Sequence, residues 1–317
     1  MSLQGKSLLT LLEYSVSEIE YLLKLSHELK HEKKHEIFPQ RLKHKNIALI
    51  FEKPSTRTRC SFIVAAHDEG AHAECFSKDD IHFGKKESLE DTARVLGRLF
   101  DGIMFRGFEQ ETVNKLVQYS GRPVWNALTN DHHPTQALAD AMTLQEKFGS
   151  NLCGKKVVYL GDAANNVAHS LMIICAFLGM KCVLCAPESR QPNTGIFQQA
   201  CNLAKETGAE IVVETNPQKA VLNADCLYTD VWVSMGEENN LDIQNRIELL
   251  RPYQVNAKLM YETQNSNCVF LHCLPANKGF EVTEEVFKSK HSLVFDEAEN
   301  RMHTIKALMV KSLSATS

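Results

Sequence analysis

FEKPSTRTRCSF, Phe51 to Phe62, places three hydroxyls and two arginines in the five residues from Ser55 to Arg59. It lies between two apolar runs, NIALI from Asn46 and FIVAA from Phe62. The first run is short and rich in β-branched and aliphatic residues, as in a strand, and the second has helical spacing. The stretch is therefore a strand-to-helix turn loaded with donors and positive charge. The same alternation continues along the chain. Strand-like runs recur at 47–51, 73–76, 102–105, 124–127, 157–160, 182–186, 210–213, 226–230 and 269–272. Helical patterns such as 61–69, 89–99, 112–119, 134–148, 167–178 and 197–207 lie between them. This alternation predicts an α/β fold with parallel sheets flanked by helices.

The polar stretch GSNLCG, Gly149 to Gly154, divides the chain into two domains of ordinary size. The expected units are 1–148 together with a C-terminal helix at 302–317, and 149–301. The last helical pattern, 297–313, has no strand after it and is expected to pack back across the halves, with the active site in the cleft between them. In open parallel sheets, ligands bind beyond the carboxyl ends of the strands, so polar clusters matter most where a strand run ends.

Composition narrows the function. Hydrophobic residues at 44% and charged residues at 23% describe a soluble globular protein, and a net charge of −4 supplies no global field for nucleic acid or anionic lipid. No apolar run approaches the roughly 20 residues that span a bilayer. LLTLL, from Leu8, is followed by Glu13, Glu18 and Glu20, so it reads as the lead-in to an amphipathic helix rather than a signal core. The expected location is the cytoplasm. Ten cysteines are scattered along the chain, and free, buried thiols are expected for nearly all of them. Cys182 and Cys185 stand three apart on a strand and point to opposite faces, so they cannot share a metal. Neither a metal nor an organic cofactor is expected.

At the first turn of a helix, Ser55, Thr56, Arg57 and Thr58 would present hydroxyls, guanidinium and free backbone N–H groups to a phosphate. The plain alternative is an N-cap with solvated arginines. Arginines in a first turn oppose the helix dipole unless an anion is present, which favours function. Arg106 ends another strand run, as an anion ligand or an exposed cap. HHPTQ, His132 to Gln136, opens a helix with proline at its start. There His132, His133 and Gln136 can polarise a carbonyl and accept from an amide, or simply hold structure. Asn165 and Asn166 follow YLGD, Tyr159 to Asp162, either as caps or as amide ligands; without G-x-G-x-x-G a dinucleotide is not expected. Asp230 is placed to pair with a cation, and Ser234, Met235 and Gly236 form a loop able to close over a ligand. Cys273, in HCLP from His272 to Pro275, is a buried thiol or a group that orients an amine. Arg301 opens the last helix, either as a third anion ligand or in a salt bridge with Glu297.

Together STRTR, HPTQ, the Asp230…Ser234-Met235-Gly236 spacing and HCLP resemble the ornithine branch of the carbamoyltransferase family, along essentially the whole chain. The resemblance implies transfer of a carbamoyl group from carbamoyl phosphate to L-ornithine, giving L-citrulline and phosphate, in arginine biosynthesis more than in degradation. It assigns Ser55, Thr56, Arg57, Thr58 and Arg301 to carbamoyl phosphate. Arg106 and His133 would hold its carbonyl oxygen, Gln136 and the Leu274 backbone would meet the carbamoyl NH₂, and Cys273 is also counted among the carbamoyl-phosphate-binding residues. Asn166, Asp230, Ser234 and Met235 would take ornithine, with Cys273 and Asp230 facing the attacking amine. It also implies a homotrimer, or a multiple of trimers, in which the loop around His82 and Lys85-Lys86-Glu87-Ser88 reaches a neighbour's carbamoyl phosphate. Where many bacterial members have Gln, position 82 is His, and Ala164 replaces a common arginine; neither touches the central motifs. The short 276–280 segment does not separate biosynthetic from degradative members.

Three rivals remain at this level. A nicotinamide dehydrogenase lacks its glycine fingerprint here. A silent binding or scaffold protein would be expected to have lost Arg57, Arg106 or His133. A carbamoyltransferase for putrescine has no use for a loop that recognises a carboxylate and an α-amino group. Arg59, although part of STRTR, is expected to be structural.

Overall fold

The computed structural model describes residues 2–81, 87–233 and 243–314. The chain forms two compact units, residues 1–142 with 299–317, and residues 143–298. All nine expected strand runs are strands: β1 (Asn46–Phe51), β2 (His72–Ser77), β3 (Gly102–Arg106), β4 (Val124–Leu128), β5 (Lys156–Leu160), β6 (Lys181–Cys185), β7 (Glu210–Glu214), β8 (Cys226–Thr229) and β9 (Val269–Leu271). The helices are α1 (Val16–Lys34), α2 (Thr56–Asp68), α3 (Leu89–Leu99), α4 (Gln110–Ser120), α5 (Pro134–Phe148), α6 (Asn166–Phe177), α7 (Thr194–Thr207), α8 (Pro217–Val221), α9 (Ile243–Leu250), α10 (Ala257–Glu262), α11 (Glu284–Phe287) and α12 (Val294–Leu313). The units part within α5 and within α12.

The first unit holds a parallel sheet in the order β2-β1-β3-β4. β1 buries every residue after Asn46, as a strand covered on both faces must. β2, at the edge, is only partly covered. Ile50, Ile103, Phe105, Val113, Leu116 and Val124 share one core cluster. α1 opens with a capping box, Ser15 and Glu18 each satisfying the other's backbone N–H. Gly97 lets α3 approach the end of α4 closely: a Cβ there would lie 1.9 Å from Ser120 O. Lys306 on α12 is buried against Asp68, with Nζ 2.6 Å from the carboxylate, and Lys33 reaches the same oxygen at 2.7 Å. Burial pushes the Asp68 carboxyl up, but the two ammonium groups outweigh it and hold it below the usual aspartate range.

The second unit holds a parallel sheet in the order β7-β6-β5-β8-β9. Leu160, Val183, Leu227, Trp232, Phe270 and Val282 belong to its core. Gly161, at φ +124°, makes the turn out of β5 in a conformation open to glycine, with the Trp232 ring packed beside it.

In both sheets the chain order reverses beside the first strand of the unit. β1 leads to β2 on one side and to β3 on the other; β5 leads to β6 on one side and to β8 on the other. Such switch points open crevices beyond the strands' carboxyl ends.

All ten cysteines are free thiols, but burial is less general than the sequence led us to expect. Cys175, Cys182, Cys185, Cys226 and Cys268 are buried, Cys60 and Cys153 are exposed, and the others are half-buried. Cys60 lies on α2, whose outer side the local apolar pattern does not reveal. No helix among the described residues is long and apolar enough to cross a membrane.

Candidate functional site

In the first unit, α2 begins where β1 hands over. Ser55 is its N-cap: Oγ accepts from the Thr58 N–H at 3.3 Å and the hydroxyl donates to Thr58 Oγ1 at 3.2 Å. Thr56 and Arg57 open the helix, where backbone N–H groups lack intrahelical acceptors. On the other side of the switch point β3 ends at the buried Arg106. Its carbonyl accepts from Glu52 N–H at 2.8 Å, and the register with β4 shifts at this residue, as a bulge re-aiming a side chain does. His133 directly precedes α5, and its carbonyl accepts from Gln136 N–H at 3.0 Å.

Arg301 ties these pieces together. Its Nη1 donates to Gln136 Oε1 at 2.7 Å, and Nη2 reaches Thr58 Oγ1 at 3.2 Å and Thr135 Oγ1 at 3.4 Å. Gln136 Nε2 in turn donates to the buried Asp140 at 2.8 Å, which fixes which way its amide points. His133 is buried among this charge. Burial first, then the positive fields of Arg301, Arg106 and Arg57, holds its imidazole well below the usual histidine range. At neutral pH it is an uncharged hydrogen-bonding ring beside three guanidinium groups. Such a place suits a dianion that carries a polar carbonyl.

In the second unit, the turn after β5 and the ends of β8 and β9 supply a different set. Asn165 caps α6, Oδ1 accepting from Ala168 N–H at 2.9 Å, while Nδ2 donates to the Tyr159 hydroxyl at 2.8 Å. Asn166 is the first residue of that helix. Burial, then the negative fields of Asp230 and Asp162, raises the Tyr159 phenol well above its ordinary range. Asp230 follows β8 and Cys273 lies two residues beyond β9; the Cys273 thiol donates to Asp230 Oδ1 at 3.0 Å. The same oxygen accepts Val231 N–H at 2.8 Å. Leu274 N–H donates to His272 Nδ1 at 2.9 Å. Asp230, His272 and Cys273 bring three metal-type donor atoms within 4.8 Å of one another. Asp230 and Cys273 are bonded to each other, and both His272 nitrogens are engaged elsewhere, Nδ1 with Leu274 and Nε2 with Glu281.

Residues 6–146 match the family described as aspartate/ornithine carbamoyltransferase, carbamoyl-P binding domain, and residues 153–311 match its Asp/Orn binding domain. The chain belongs to the aspartate/ornithine carbamoyltransferase family. It is 54% identical over 313 residues to the ornithine carbamoyltransferase of Thermotoga petrophila, covering 99% of each chain. It is 53% identical to a Bacillus licheniformis relative named ornithine carbamoyltransferase, catabolic, covering 99% of this chain and 98% of that one. The solved ornithine carbamoyltransferase of Pyrococcus furiosus superposes with a TM-score of 0.96 at 42% identity, over the whole of both chains.

Of the residues singled out in this carbamoyltransferase-family sequence, Ser55, Thr58, Gln136 and Arg301 are linked directly, and Arg57, Arg106 and His133 are linked through their fields. Asp230 and Cys273 are bonded to each other. His82, Lys86, Ser234, Met235 and Gly236 lie outside the described residues. Sequence reading passed over Asp140, although it stands four residues after Gln136 on one helix face, a spacing that signals contact. It also passed over Glu281, whose partnership with His272 has no local signal.

Proposed function

We propose that this chain is an ornithine carbamoyltransferase, joining carbamoyl phosphate and L-ornithine to give L-citrulline and phosphate. The observation that carries the reading is the buried Arg301, which bonds both Gln136 and Thr58 and so joins the STRTR and HPTQ segments beside the buried His133. Ser55, Thr56, Arg57, Thr58 and Arg301 bind the phosphate. Arg106 and His133 hold the carbamoyl oxygen, and Gln136 and the Leu274 carbonyl meet the carbamoyl NH₂. Asn166, Asp230, Ser234 and Met235 bind ornithine. The family's description of the two matched segments supports this division between carbamoyl-phosphate and amino-acid halves.

In the reaction the δ-amine nitrogen bonds to the carbamoyl carbon, the carbonyl takes on oxyanion character, and the bond to the phosphate oxygen breaks with its electron pair leaving on phosphate. The amine gives up a proton in the process. Guanidinium and imidazole donors stabilise the oxyanion, and positioning of two bound substrates supplies much of the rate. The hydrogen bond from the Cys273 thiol to Asp230 supports a reading in which the carboxylate takes the amine's proton and the thiol orients the amine. The loop around His82 completes the site of a neighbouring subunit in a homotrimer, and the enzyme acts in the cytoplasm in arginine biosynthesis.

Carbamoyl transfer measured with ornithine, putrescine, N-acetylornithine and aspartate offered separately tests the substrate. Strong preference for ornithine is expected; preference for any other amine overturns the assignment while leaving the reaction class standing. Light scattering is expected to report three chains or a multiple of three. Growth of an ornithine carbamoyltransferase-deficient cell without arginine tests the biosynthetic direction, and failure to restore it favours the catabolic role named for the Bacillus relative.

A further inference from the structure

We propose that His272, with its tautomer set by Glu281, is the positioning residue that holds Cys273 and the Leu274 peptide in working geometry. The inference rests on the functional reading above, in which Cys273 orients the amine and the Leu274 carbonyl meets the carbamoyl group. Leu274 stands at φ +59°, in the left-handed region. A branched side chain is strained there, so something must over-determine the turn.

The restraint is visible in the hydrogen bonds. Leu274 N–H donates to His272 Nδ1 at 2.9 Å, and a nitrogen that accepts from an amide carries no proton. The neutral ring's proton is therefore on Nε2, which lies 3.2 Å from Glu281 Oε1. Both side chains are fully buried, at 0% exposure. The same Glu281 oxygen accepts Asn277 N–H, which anchors the carboxylate to the chain just after the HCLP turn. At the backbone, His272 N–H donates to Glu297 Oε2 at 2.9 Å, and Glu297 Oε1 accepts from the Tyr228 hydroxyl at 3.1 Å.

Cys273 thus lies between a residue pinned at its amide and both ring nitrogens, and a residue pinned through Nδ1. In the other tautomer, Nδ1–H would face Leu274 N–H, two donors would meet, and the left-handed turn would lose its anchor. The carboxylate–imidazole pair acts here on a backbone amide rather than on a metal or a nucleophile. Its consequence is where the Cys273 thiol and the Leu274 carbonyl point.

Two substitutions separate positioning from packing. His272→Asn places an acceptor oxygen near Nδ1, whereas His272→Gln reaches toward Nε2 and does not replace the Nδ1 acceptor that the Leu274 amide uses. His272→Asn is expected to keep kcat within about fivefold, the worth of one modest hydrogen bond. His272→Gln is expected to lose roughly a hundredfold in kcat, the scale of a small misplacement of reacting groups. KM for either substrate should change far less, and melting temperatures of the two variants should agree. Full activity in His272→Gln, or equal loss in both variants, overturns the proposal.

Should either variant fail to fold, a neutron structure of the unaltered protein decides: deuterium on Nε2 and none on Nδ1 of His272 is expected, and deuterium on Nδ1 overturns it. If the unaltered protein transfers no carbamoyl group to ornithine, the functional reading falls by itself, and the neutron result still tests the tautomer.

Discussion

Within STRTR, neighbours do different work. Ser55 and Thr58 are bonded to each other at the helix start, Thr58 also receives Arg301, and Arg57 lends its charge to the field around His133. Arg59 is exposed, and its charge opposes the upward push that burial gives the Cys75 thiol. Arg57→Gly is therefore expected to reduce kcat/KM at least about a hundredfold, the scale of one oxyanion or phosphate donor. Arg59→Gly is expected to leave turnover within a few-fold and to remove about 1 kcal/mol of stability, the usual effect of glycine within a helix. Paired steady-state kinetics and urea unfolding check both. The substrate amine sets a second expectation. With a lysine-like pKa of about 10.4, roughly one molecule in 2,500 is neutral at pH 7, equivalent to about 4.6 kcal/mol. Like charge from the carbamoyl-phosphate half disfavours the ammonium, but kcat/KM for ornithine should still climb with pH well above 7. A flat profile in the chemical step between about pH 6 and 9 would contradict amine attack as written.

At the scale of elements, the two switch points do the arranging. Within one unit the residues that end β1 and β3 come together, and within the other those that end β5, β8 and β9, because parallel strands release their chains at the same edge of their own sheet. Helix starts then present the groups: Ser55 at α2, His133 and Pro134 at α5, Asn165 and Asn166 at α6. The strand runs and most of these starts are legible because parallel strands are nearly continuous apolar runs and caps have chemical signatures. Close packing of helices is less visible. Gly97→Ala would drive a methyl to 1.9 Å from Ser120 O, a backbone atom that cannot swing aside. Calorimetry is expected to show a loss of about 1–3 kcal/mol, the range for forcing extra volume into a packed contact. An unchanged melting curve would mean that α3 and α4 separate freely.

For the whole molecule, the buried His303 on α12 is expected to contribute to acid sensitivity. Burial pushes His303 down to about 4, a shift opposed by Glu299 and reinforced by Lys30 and Lys306. The unfolded chain takes up this proton near pH 6.5 and the folded chain only near 4, so stability is retained above about 6.5 and falls progressively as pH drops toward 4. His303→Gln is expected to flatten the loss of unfolding free energy across that window; an unchanged slope would place the acid sensitivity in other groups. The alternating pattern, the strand ends and the motifs were determined by sequence alone, because they are local: each is a run, a cap or a short spacing along one segment. Tertiary structure alone decided that Arg301 grips Gln136 and Thr58, that Asp140 fixes the Gln136 amide, and that Glu281 and Glu297 hold His272. Those bonds join distant parts of the chain, and nothing in one segment's propensity records the partner that burial will bring to it.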